Sequence, residues 1–84
     1  MHRVLLEAGA EADMRALPAR EFARVVEKIR GLSENPRPPG CRKIVGSQSD
    51  WRLRVGSYRV LYEVDDTKRT VTVMRVRHRR TAYR

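Results

Sequence analysis

The chain has 84 residues and a formal charge of +9, enough for one domain with a modest core and no second lobe, so residues 1–84 are expected to form a single domain. The charge is lopsided, with 7 Lys/Arg against 6 Asp/Glu in residues 1–40 and 12 against 4 in residues 41–84, which points to a polyanionic partner, nucleic acid first and an acidic protein or anionic membrane second. The lone Cys41 excludes an intramolecular disulfide and a multi-cysteine zinc site, and no signal-peptide core or run of roughly 20 apolar residues occurs, so an unprocessed cytoplasmic protein with no membrane partner is expected.

His2 to Leu6 reads as a short first strand, because Val4, Leu5 and Leu6 make an apolar run too brief for a helix. Ala8 to Leu17 is rich in good helix formers, and Pro18 suits the first turn of a second helix. Phe22, Val25, Val26, Ile29 and Leu32 then form one apolar stripe, so the two helices read as a hairpin laid on a sheet. Ser33 to Gly40 contains Pro36, Pro38 and Pro39 and cannot continue the helix. Three strands follow, about Asp50–Val55, Tyr58–Asp65 and Thr70–Arg77, with Gly56-Ser57 as a type II′ turn and Asp65–Arg69 as a longer polar turn. The order β-α-α-β-β-β implies an α+β domain with a helical hairpin packed on one face of a mainly antiparallel four-stranded sheet.

Strand alternation puts Trp51, Leu53 and Val55 on one face and Arg52 and Arg54 on the other. In the next strand Tyr58, Val60, Tyr62 and Val64 oppose Arg59, Leu61 and Glu63. The last strand is mixed: Val71 and Val73 share parity with Arg75 and Arg77, which fits either a bulge or a partly apolar second face. Trp51, Tyr58 and Tyr62 read as packing residues by parity, and Asp65-Asp66 as turn formers rather than a metal site. His2 and His78 are too far apart in sequence to suggest metal-ligand spacing.

The stretch WRLRVGSYRVLYEV and the ending VMRVRHRRTAY, together with the order of elements, resemble the RelE branch of the RelE/ParE toxins of bacterial toxin–antitoxin modules. That resemblance implies a ribosome-dependent, metal-independent endoribonuclease that cuts mRNA in the ribosomal A site, needs no cofactor, and is held in a hetero-oligomer by a cognate acidic antitoxin. It also implies functional positions: Arg52 and Arg54 on the first hairpin strand, Arg59 at the start of the next, Arg79 after the last strand with His78 before it, and Tyr83 near the end. Arg77 and Arg80, in the same basic ending, join Arg52, Arg54 and Arg59 as expected RNA contacts. The chain departs from the best-studied branch in having arginine rather than lysine at 52 and 54, which bears on any role needing a neutral side chain there.

Cleavage by attack of a 2′-OH on the adjacent phosphorus needs a base, cations around the phosphorane and an acid for the departing 5′-oxygen. Arginines stay charged and hold phosphate oxygens with fork geometry, so Arg52, Arg54 and Arg59 suit electrostatic stabilisation and make poor bases. Tyr83, with an ordinary pKa of about 10, and His78, closer to neutrality, are the two candidates for the base. Arg79 neutralises or protonates the leaving oxygen. Two other functions fit the same charge pattern: a ParE-like toxin that poisons DNA gyrase by protein contacts, and an inactive basic docking module.

Overall fold

The computed structural model describes residues 1–80, so Tyr83 lies outside the described residues. It contains β1 (Arg3–Leu6), α1 (Ala8–Arg15), α2 (Ala19–Gly31), β2 (Cys41–Lys43), β3 (Asp50–Val55), β4 (Tyr58–Asp65) and β5 (Thr70–His78). The α+β class agrees with the sequence reading. The strand count does not: five strands lie in the order β1-β5-β4-β3-β2, with β1 parallel to β5 and the other pairings antiparallel. The strand missed is β2, whose three residues Cys-Arg-Lys are too few to display an alternating pattern. Its pairing with β3 stops at Cys41 opposite Leu53. Shortness and two cations suit an edge strand, which must not invite further pairing.

The core is built from both helices, with Ala10 and Met14 of α1 joining α2, and from the inner face of the sheet. Val25, Leu32, Val60, Tyr62, Val71 and Val73 are fully buried, with Ile29, Leu53, Val55, Val64 and Val76 close behind. Phe22 departs from the predicted stripe: it is 43% exposed, at the margin of the helix face that Val25 and Ile29 bury. Tyr62 is held at its polar end as well, its hydroxyl donating to the Pro36 carbonyl at 2.8 Å, which ties the proline loop down on the sheet.

The mixed pattern of the last strand is resolved by a bulge. Leu61 pairs with Arg75 while Tyr62 pairs with Val73, leaving Met74 as the extra residue. The extra residue switches the parity, so Val71 and Val73 before it and Val76 after it all face the core. The bulge falls where β1 ends, since β1 pairs only as far as Val73.

Beyond that point α1 covers the β5 edge. The Val76 N–H donates to an Asp13 carboxylate oxygen at 2.9 Å, and Arg75 makes a two-pronged contact with the same carboxylate at 2.8 and 3.0 Å. Asp13 therefore supplies the acceptor that a neighbouring strand would otherwise offer. Its side chain is only 18% exposed, and the Arg75 guanidinium holds its carboxyl below the usual range.

Candidate nucleic-acid interface

Across β3, β4 and β5 the register aligns three arginines in one row: Arg54 is directly opposite Arg59, and Arg59 directly opposite Arg77. A second row runs Arg42, Arg52, Leu61, Arg75. Like charges facing each other on a sheet oppose folding. An anion seated between them would relieve that repulsion.

Arg52, Arg54 and Arg59 line one concavity of about 700 Å³, together with Arg42 of β2, Arg24 and Lys28 of α2, and Gly40, Val55 and Gly56. No acidic side chain is in that lining. The concavity opens where β2 runs out: Gly40, with φ +94°, turns the chain just before Cys41, and the outer edge of β3 at Arg54 and Val55 has no strand beside it. Gly56, with φ +60°, is the first residue of the β3–β4 turn, and the positive angle there suits the predicted type II′ geometry.

What distinguishes these cations is that they cluster in one lining without an acidic side chain. Three arginines outside the concavity are matched, Arg75 with Asp13, Arg37 with Asp66 and Arg15 with Glu11. Among the described residues Arg24, Lys28, Arg42, Arg54 and Arg59 have no ion-pair partner. Arg59 is half-buried, and its Nε is enclosed with no hydrogen-bond partner among those residues. Such a guanidinium is already desolvated, so an anionic oxygen gains more from it than from one in open water.

His78 and Arg77 sit apart from this concavity. They line a notch of about 210 Å³ with Asp13, Ala16, Leu17, Tyr58 and Val76. The His78 ring meets Tyr58 edge to face, centroids 5.3 Å apart. Its Nδ1 accepts the Arg80 N–H at 3.3 Å, which in a neutral ring leaves the proton on Nε2. Arg79 and Arg80 are exposed, and the Arg79 N–H donates to Ser57 at 2.7 Å, so the chain leaves the sheet beside the turn that carries Gly56. The sequence-predicted residues thus fall into three places: Arg52, Arg54 and Arg59 together, Arg77 and His78 in the notch, and Arg79 and Arg80 at the exit, with Tyr83 outside the described residues.

Sequence reasoning passed over Arg24, Lys28 and Arg42. The first two flank the apolar stripe at i and i+4, a signal that was available in the sequence. Arg42 belongs to the strand that went unrecognised. Other polar residues are structural. Trp51 packs against the core with the Arg37 guanidinium 5.2 Å from its ring centre. Asp65 caps its turn by accepting the Lys68 N–H, whereas Asp66 binds Arg37 and His2, joining the proline loop to the chain start. No group of three His, Cys, Asp or Glu side chains among the described residues is placed to hold a metal ion, and no helix among them is long and apolar enough to cross a membrane.

This α+β fold, two helices on a five-stranded sheet, is shared with solved toxin–antitoxin proteins. Residues 4–83 match the family model described as the ParE toxin of the type II toxin–antitoxin system parDE. Toxin RelG of Mycobacterium tuberculosis is 42% identical over 79 residues, covering 89% of this chain and 87% of that protein. Among solved structures, the RelBE2 toxin–antitoxin complex of the same organism superposes with a TM-score of 0.81 at 33% identity, covering 92% and 96% of the two chains. The archaeal RelE–RelB complex of Pyrococcus horikoshii shares the fold, with a TM-score of 0.84 at 24% identity and coverage of 96% and 98%. The chain belongs to the RelE/ParE superfamily of toxins of type II toxin–antitoxin modules.

Proposed function

We propose that this toxin is a ribosome-dependent, metal-independent endoribonuclease that cuts mRNA in the A site, acts in the cytoplasm, and is neutralised by a cognate acidic antitoxin in a hetero-oligomer. The single observation that carries the reading is the concavity: six cations from α2, β2, β3 and β4, with no acidic side chain in the lining. The 42% identity to RelG and the likeness to a RelBE2 toxin–antitoxin complex support it.

In this reading the scissile phosphate sits against Arg54 and Arg59, with Arg52 beside them. The 2′-oxygen attacks phosphorus, its proton passes to a base, and charge builds on the phosphorane oxygens that the guanidinium forks hold. The P–O5′ bond breaks, the 5′-oxygen takes a proton, and a 2′,3′-cyclic phosphate and a 5′-hydroxyl remain. Tyr83 or His78 takes the 2′-oxygen proton, and the 5′-oxygen is protonated by the conjugate acid so formed or by water. Arg79 neutralises the leaving oxygen, and Arg77 and Arg80 hold flanking phosphates.

The test is cell-free translation of a defined message with the purified protein, followed by primer extension. Cuts within A-site codons, lost in Tyr83→Phe and Arg59→Gln, are expected; intact message alongside arrested translation overturns the reading. One observation favours a second function, since the matching family model is described as ParE. A gyrase supercoiling assay separates the two: the endoribonuclease predicts no inhibition, a ParE-like toxin predicts loss of supercoiling.

A further inference from the structure

We infer that Arg24 and Lys28 on α2 form a second phosphate clamp, which holds the backbone of a single-stranded RNA away from the phosphate at Arg54 and Arg59. The inference rests on the nucleic-acid reading of the concavity and adds binding residues to it from a different element.

Three observations carry it. Arg24 and Lys28 are one helical turn apart, both exposed, and both line the same concavity as the hairpin arginines. Two cations at that spacing repel one another, and α2 leaves them without an ion pair although Glu21 and Glu27 stand on the same helix. Arg24 is also positioned: its guanidinium lies 3.2 Å from where a side chain at residue 56 would begin, so the missing Cβ of Gly56 makes room for it against the turn. A guanidinium seated against the turn and without a carboxylate is a receptor for an anionic oxygen.

The track has a direction. Lys28 also borders two adjoining clefts, one lined by Ala23, Arg24, Glu27 and Val55 and the other by Glu27, Gly31, Pro38, Pro39 and Leu53. The RNA therefore leaves the hairpin along α2 towards the proline loop, with Arg24 and Lys28 on its phosphates and Val55, Pro38, Pro39 and Leu53 beside its bases, while Glu27, which borders both clefts, keeps the phosphates on the cationic side. Because Arg24 and Lys28 stand on another element from the reacting hairpin, their contribution is to binding and is present equally in the ground state and the transition state.

The test uses the full chain and a non-cleavable 2′-O-methyl oligoribonucleotide of roughly a dozen nucleotides, with affinity followed by fluorescence anisotropy as salt is raised from about 50 to 200 mM. Each phosphate contact to a single strand contributes about 0.7 to the slope of log affinity against log salt, so the double variant Arg24→Gln/Lys28→Gln is expected to lose about 1.4 from that slope. It should also bind at least about tenfold more weakly at the lowest salt. Arg15→Gln, on the exposed face of α1, is the control and should leave the slope unchanged. Both α2 side chains are exposed, and circular dichroism of the variant should match the parent. An unchanged slope, or no binding by the parent chain, overturns the clamp. A reduced slope with uncut message in cell-free translation keeps the clamp and rejects the endoribonuclease; cut message with an unchanged slope does the reverse.

Discussion

Replacing Arg59 by methionine should make the protein more stable and remove its activity. Arg59 stands in register between Arg54 and Arg77, so its charge faces one like charge on each side. A directly opposed like pair costs about 0.2–1 kcal/mol, so two pairs cost about 0.4–2 kcal/mol, to which the enclosed and unpaired Nε adds. Methionine keeps an unbranched stem of similar reach for the half-buried part of the site while removing the charge and the orphan donor. The expected gain of about 1 kcal/mol raises the melting temperature by about 4–8 °C for a domain of this size. Salt gives a second reading, because screening relieves repulsion. The parent should gain stability as sodium chloride rises through the range where the Debye length falls from about 30 to 10 Å, and Arg59→Met should gain less. Cleavage of ribosome-bound message should fall about a hundredfold or more, the usual cost of removing a positioned electrostatic donor. Calorimetry over a salt series, paired with primer extension, measures both. A variant that melts below the parent with the same salt response would show that the arginine row stores no repulsion, and the case for an anion site built on it would fail.

Other features are equally open to measurement. Asp13→Ala strips the acceptor from the Val76 N–H and should cost about 2 kcal/mol in urea denaturation. Because the Asp13 carboxyl is held below its ordinary value, its contribution is complete above about pH 4 and is lost as pH falls through the folded-state value, so the variant should show a shallower acid limb than the parent. Burial pushes the Tyr62 phenol above the usual tyrosine range, with Cys41 adding to the effect, so its stabilisation is complete below about pH 10 and declines above it. Tyr62→Phe should flatten that alkaline limb and cost about 1–2 kcal/mol at neutral pH through the orphaned Pro36 carbonyl, as followed by pH-dependent thermal melts. Gly56→Ala places a side chain at φ +60° and against the Arg24 guanidinium, so it should destabilise by about 1–2 kcal/mol and weaken RNA binding as Arg24 shifts.

How far the sequence reached can be judged from particular elements. The β3–β4 hairpin was legible because its apolar and charged residues alternate strictly and a glycine marks its turn, and α2 because Val25, Ile29 and Leu32 keep helical spacing. β2 was not legible, since three residues carry no period, and Phe22 was placed inside the core when it sits at its margin. The last strand shows the limit most clearly: its parity conflict was visible, but only pairing with β4 decides that Met74 is the bulged residue. The candidate site was legible for Arg52, Arg54 and Arg59, where the pattern resembles a family, and not for Arg24, Lys28 and Arg42.

Composition and alternation are local properties, and they suffice to define a small basic α+β domain with its excess charge in the second half and a cationic hairpin at its centre. Which charges act together depends on how the elements pack. Arg75 and Arg54 are indistinguishable as residues, yet α1 brings Asp13 against the first and leaves the second without an ion pair among the described residues. Likewise the distance in sequence between Arg24 and Arg59 hides their sharing of one concavity. Coulombic interaction depends on separation in space and on the water between charges, and both are set by the packing of α2 and the pairing of strands rather than by any stretch of chain alone.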